Sequence, residues 1–217
     1  MKTDSQLKAD VIAELMWEPE VNESQIGVSV EHGIVTLTGH PATYSEKVAA
    51  QRAAQRVGGV KALAIEMHVK LEPAYTRTDS AIASAVEHAL EWNALVPDGK
   101  ITPSVENGWV TLKGEVAWDY QRRAAERSTR DLVGVRGVSN LVAVKPLVKP
   151  SDIRSSIQRA LHRQVDREAK ALEIKVNGSV VTLEGTVHSW DERVAVQGAA
   201  WSAPGVSSVV NDLVVAP

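Results

Sequence analysis

Three stretches, EHGIVTLTG at residues 31–39, ENGWVTLKG at 106–114 and NGSVVTLEG at 177–185, decide the fold. Their threonines, Thr36, Thr111 and Thr182, stand 75 and 71 residues apart. Counting 20 residues on from Gly39, Gly114 and Gly185 reaches a Gly-Val step each time, at Gly59-Val60, Gly134-Val135 and Gly205-Val206. No gap is needed. Self-similarity at this period marks a chain built from three copies of one unit.

Working outward, each copy reads in the same order. Upstream, Leu7, Val11 and Leu15, then Ile82, Val86 and Leu90, then Ile153, Ile157 and Leu161 recur four residues apart. That period places one apolar stripe on a helix. Asp4, Asp79 and Ser151 stand near the starts as N-caps. Alternation then takes over, with Val28 and Val30 before a tight turn and Val35 and Leu37 after it. The turns are Glu31-His32-Gly33, Glu106-Asn107-Gly108 and Asn177-Gly178-Ser179, so each copy carries a β-hairpin. Gly39, Gly114 and Gly185 end its second strand, where a residue free to take positive φ lets the chain leave the sheet.

An Ala-rich helix follows, at 45–57, 120–133 and 191–203, with Gly59, Gly134 and Gly205 as C-caps. A last strand occupies 63–71, 138–144 and 209–215. The expected fold is therefore α+β. Three α-β-β-α-β modules follow one another, each a three-stranded mixed sheet with two helices on one face and the place of the third strand open. The modules cover 1–72, 76–145 and 151–217, joined by Pro-containing linkers at 72–75 and 145–150 that space them semi-rigidly.

Composition excludes several classes. The 217 residues are 44% apolar and 24% charged, as in an ordinary globular chain. Absence of cysteine removes disulfides and thiolate chemistry. The net charge is −3, distributed by thirds as −3, +1 and −1, so no part is basic enough to expect nucleic acid. Asp4, Lys8, Asp10 and Glu14 interrupt any leader-like apolar run, which predicts a cytoplasmic protein. A mature periplasmic chain with an added Met is the alternative.

The pattern Gly-x-Val-Thr-Leu-x-Gly, an Ala-rich helix, then Gly-Val-x-x-Val-x-Asn resembles the BON domain, named for bacterial OsmY and nodulation. Residues 185–189 and 205–211 of the third copy fit it best. The first copy departs, with Pro41 in place of Val and Ala64-Ile65 where Val210-Asn211 stand. The resemblance implies a binding module of osmotic-stress proteins, secretins, mechanosensitive channels and haemolysin-like proteins, contacting phospholipid or protein without catalysis.

Enzyme motifs are absent. There is no phosphate-binding G-x-x-x-x-G-K-[ST], no G-x-G-x-x-G after a strand, no H-E-x-x-H and no G-x-S-x-G. The six histidines share no repeat position and no metal-ligand spacing, so structural or solvent-facing roles are expected, with no cofactor and no metal. His188-Ser189-Trp190-Asp191 holds the residue types of a triad, but consecutive residues at a strand-to-helix turn do not converge as nucleophile and oriented base.

Aromatic and basic residues point instead to contact. Phe is absent and Trp occurs six times. Trp17 and Trp92 are equivalent, and contact between modules is the expectation, with an interfacial anchor as the alternative. Tyr44, Trp118 and Trp190 recur at the loop before the second helix, a contact surface or a lid over the sheet end. Arg123, Arg127 and Arg130 form a stripe after Trp118, and Arg159, Arg163 and Arg167 a second one. Such stripes are solvated helix faces or patches for an anionic leaflet.

The leading expectation is thus a non-enzymatic tandem binding protein of the osmotic or envelope-stress type. Its contact residues would be Tyr44, Trp118, Trp190, Arg123, Arg127 and Arg130, meeting a phospholipid membrane surface or a membrane-associated protein. A chaperone-like scaffold holding a protein client is the second reading, and cytosolic potassium sensing the third.

Overall fold

The computed structural model describes residues 2–146, 153–164 and 172–215. The linker at 147–150 lies outside them, as do Ser151 and Arg167. Module 1 comprises α1 (Asp4–Trp17), β1 (Ile26–Glu31), β2 (Ile34–Gly39), α2 (Tyr44–Arg56) and β3 (Ala62–Met67). Module 2 comprises α3 (Asp79–Glu91), β4 (Ile101–Glu106), β5 (Trp109–Val116), α4 (Asp119–Arg130) and β6 (Gly137–Val144). Module 3 comprises α5 (Ile153–Gln164), β7 (Leu172–Asn177), β8 (Val180–Val187), α6 (Trp190–Trp201) and β9 (Ser208–Val215). The fold is α+β, and each sheet is mixed.

The hairpin strand is central in every sheet. In module 1 the order is β1-β2-β3, with β1 antiparallel and β3 parallel to β2, and both other modules repeat it. A parallel neighbour requires a crossover, which the second helix supplies. The hairpin loops hold two residues. His32 (φ 51°) with Gly33 (φ 80°) and Asn107 (φ 52°) with Gly108 (φ 77°) are both left-handed, the pattern of a type I′ turn. In module 3 only Gly178 (φ 59°) is, and Gly-Ser follows the type II′ pattern.

Each core lies between the helices and one sheet face. Leu7, Val11 and Leu15 of α1 meet Val35 and Leu37 of β2, and Ile82, Val86 and Leu90 of α3 meet Val110 and Leu112 of β5. Ala49, Ala50, Ala53 and Ala54 of α2 are buried in the core of module 1. The buried residues of modules 2 and 3 form one continuous apolar core, while module 1 keeps its own.

Four local expectations are corrected. Thr3 and Thr78, not Asp4 and Asp79, are the N-caps, accepting from Gln6 N and Ala81 N. The freed carboxylates reach the hairpin instead. Asp4 accepts from His32 N at 2.8 Å and Gly33 N at 3.0 Å, and Asp79 accepts from Asn107 N and Gly108 N, both at 2.8 Å. Gly59, Gly134 and Gly205 are not C-caps, because the helices end three or four residues earlier. They hold positive φ (103°, 95° and 92°) at the third position of a β-turn closed by Val60 N to Val57 O, Val135 N to Leu132 O and Val206 N to Ala203 O.

The second strand ends at its glycine in module 1 alone. In modules 2 and 3 it runs on to Val116 and Val187, paired with Val144 and Val215. Module 1 has Pro41 there, which lacks the N–H a ladder needs. For the same reason β3 stops at Met67, short of the expected residue 71.

Candidate functional site

The second helices assemble the modules head to tail. At the start of α2, the Ser45 hydroxyl donates to Asp131 Oδ1 at 2.9 Å, just past the end of α4, and Tyr44 packs on the core of module 2. At the start of α4, the Arg122 guanidinium lies 4.6 Å from the ring centre of Trp201, at the end of α6. At the start of α6, Trp190 Nε1 donates to Val60 O at 2.9 Å, just past the end of α2. The third contact closes the circle, because Trp190 packs against the core of module 1 as well as its own. Arg193 covers the same ring at 5.0 Å.

Burial pushes the Tyr44 hydroxyl pKa up, assisted by the nearby Glu126 carboxylate. Asp131 moves the other way. Its burial favours the neutral acid, but hydrogen bonds from Arg130 and Ser45 outweigh that and hold its pKa below the usual carboxylate value.

The sequence-predicted contact residues fall into separate settings. Tyr44 and Trp190 lie at the junctions just described. Trp118 is half-buried and stacks on Tyr120, with ring centres 6.5 Å apart. Arg123 pairs at 2.6 Å with the buried Asp119, which also binds Arg122. Arg130 pairs with Asp131 at 2.9 Å. Arg127 is exposed. In the second stripe Arg159 donates to Ser156 Oγ at 3.3 Å, and the side chains of Arg163 and Arg167 lie outside the described residues.

The triad-like run is a helix cap. Ser189 Oγ accepts from Glu192 N at 3.1 Å, and the Glu192 carboxylate accepts from His188 N at 2.7 Å. The reach-back recurs at the starts of α2 and α4, where Glu46 accepts from Ala42 N and Gln121 from Ala117 N and Trp118 N, and Thr43 Oγ1 caps Glu46 N as Ser189 does Glu192 N. A three-residue spacing to Glu or Gln was the available signal for these caps. Among the described residues no cluster of His, Asp and Glu could hold a metal ion, and no helix is long and apolar enough to cross a membrane.

The expectation that Trp17 and Trp92 join the modules is overturned. They are 83% and 89% exposed, at the last turn of α1 and immediately after α3. Beside Trp17 runs a groove lined by Lys2, Asp10, Ala13, Glu14, Val57 and Gly58. Met16 and Leu95 are exposed nearby in sequence. Junctions built from the second helices leave Trp17 and Trp92 in solvent at the ends of α1 and α3.

Three α-β-β-α-β modules in succession, each with a mixed three-stranded sheet, define a class of tandem-repeat α+β proteins. The BON domain pattern matches residues 3–70, 78–146 and 150–217, and the chain belongs to the BON domain family. It is 26% identical over 146 residues to the osmotically-inducible protein Y of Escherichia coli strain K12, covering 65% of this chain and 73% of that protein. Among solved structures, CdsD, a structural protein of the type III secretion system of Chlamydia trachomatis, is 14% identical, with 96% of this chain and 91% of that one covered at a TM-score of 0.27. A likeness at that score supports no argument about this chain.

Proposed function

We propose that the protein is a non-enzymatic tandem binding protein of the osmotic or envelope-stress kind, whose modules touch an anionic phospholipid surface. The observation that carries this is the repeated, almost complete exposure of Trp17 and Trp92. The two rings stand at equivalent positions of modules 1 and 2, and an amphipathic indole is suited to the headgroup level of a bilayer. Two such anchors on one chain act together through effective concentration. Likeness to an osmotically inducible protein supports the stress setting.

Titration with vesicles of phosphatidylglycerol and phosphatidylcholine, read by Trp emission, tests the reading. A blue shift with anionic vesicles that disappears in Trp17→Ala/Trp92→Ala is expected. An unshifted spectrum with both vesicle types rejects membrane contact and turns the search to protein clients.

A further inference from the structure

We propose that modules 1 and 2 each carry a binding site for a phosphate-type anion, bounded by the start of the first helix, the hairpin turn and the Gly-Val turn. In module 2 a cavity of about 300 Å³ is lined by Arg77, Asp79, Asn107, Gly108, Gly134 and Arg136 among others. In module 1 a cavity of about 260 Å³ is lined by Lys2, Asp4, His32, Gly33, Gly59 and Lys61 among others. Shifting by the repeat of 75 residues superposes Lys2 on Arg77 and Lys61 on Arg136. The same cavity thus recurs with the same pair of cations. The pair is absent from module 3, where Ser207 stands in for Arg136 and binds Ser179, their hydroxyl oxygens 2.6 Å apart.

The cations make the site, because the backbone amides around it are already taken. Asp79 accepts from Asn107 N and Gly108 N, and Thr78 Oγ1 accepts from Ala81 N. The stem of Arg136 lies over Gly108, close to where a Cβ there would stand (3.1 Å), which fixes the base of the side chain beside the turn. Arg77 is anchored by its Nη1, which donates to Ala74 O at 2.9 Å and Thr76 O at 2.8 Å, leaving its other nitrogens for a ligand. Neither arginine forms an ion pair among the described residues. With Asp79 counted, the site is one positive charge in excess. Two planar guanidinium groups match the tetrahedral oxygens of a phosphate. Module 1 is the weaker copy, since Lys2 also pairs with Asp10 at 2.7 Å.

This site deepens the membrane reading by giving the headgroup phosphate a place. Trp92 lies at the opposite end of α3, about 20 Å away at 1.5 Å per residue. Free phosphate has the same chemistry, and the two sources separate by experiment.

Amide NMR of the full chain, titrated with inorganic phosphate against chloride at matched ionic strength, reads the site directly. Saturable shifts at Asn107, Gly108, Gly134 and Arg136, with Ser179 and Ser207 unmoved, are expected. Arg136→Ser should weaken binding ~tenfold, and Arg136→Lys should largely retain it. Attenuation of the same signals by phosphatidylglycerol vesicles assigns the headgroup as the source. Saturation by phosphate without that attenuation supports a soluble phosphate ligand, and holds even where the vesicle titration above fails. A linear response equal to that of chloride, or one indifferent to Arg136→Ser in a protein with unchanged melting, overturns the proposal.

Discussion

Trp190 donates its indole N–H to the carbonyl of Val60 at 2.9 Å, although 130 residues separate the two in the chain. This bond joins the last module to the first, so the three form a closed set rather than a string. Trp190→Phe keeps an apolar ring and loses the bond, which should cost about 1 kcal/mol. Trp190→Ala also empties the contact with both cores and should cost about 3 kcal/mol. Chemical denaturation followed by circular dichroism measures both. In the alanine variant module 1 should melt as a separate, earlier transition, and a single unchanged transition would show that closure contributes nothing.

Gly114 tests the repeat signature. At φ +144° a Cβ would stand 2.0 Å from Lys100 O, so Gly114→Ala cannot be accommodated without moving backbone. A loss of about 2 kcal/mol or more is expected. Gly58→Ala is the control, since nothing lies within 4 Å of its Cβ position and it belongs to no left-handed set. That substitution should be neutral or stabilise by about 0.5 kcal/mol. Similar melting temperatures for the two variants would contradict the steric account.

Asp79 ties the start of α3 to the Asn107-Gly108 turn through two backbone hydrogen bonds. Asp79→Ala leaves both amides without that acceptor and should cost about 2 kcal/mol, whereas Asp79→Asn retains one acceptor oxygen and should cost less. Hydrogen exchange at Asn107 and Gly108 reports the loss locally. Unchanged protection in Asp79→Ala would mean that the turn holds itself.

These cases show what the sequence makes legible. The glycines announce themselves, because positive φ and close approach restrict the residue type at a single position, and three aligned copies repeat the restriction. Leu7, Val11 and Leu15 are legible for a similar reason, since burial imposes a period. Asp4 and Asp79 resemble caps in the sequence because charge at a helix start looks the same whether it faces its own helix or a turn 28 residues away. The fates of Trp17 and Trp190 depend on which helices the modules use to meet. That choice rests on tertiary placement of α2, α4 and α6, for which neither period nor spacing carries a signal.

The junction between modules 1 and 2 should respond to pH from both sides. Tyr44 has a raised pKa in the folded state, from burial first and the Glu126 carboxylate second. Its contribution is therefore complete below the usual tyrosine pKa and is lost as pH rises through the folded value, where a charged phenolate would have to stay buried. Asp131 has a lowered folded pKa, because the hydrogen bonds from Arg130 and Ser45 outweigh burial. Its contribution is present above the usual carboxylate pKa and is lost as pH falls through the folded value. Tyr44→Phe keeps the ring in place and removes the ionisable group, so it should flatten the alkaline limb of the stability profile while leaving the acid limb. Asp131→Asn should flatten the acid limb alone. Absorbance at the phenolate band gives an independent reading, with a step above the usual tyrosine pKa in the wild type that is missing in Tyr44→Phe. A wild-type profile with no step above the usual tyrosine pKa would mean that Tyr44 is open to water and the junction is not closed in solution.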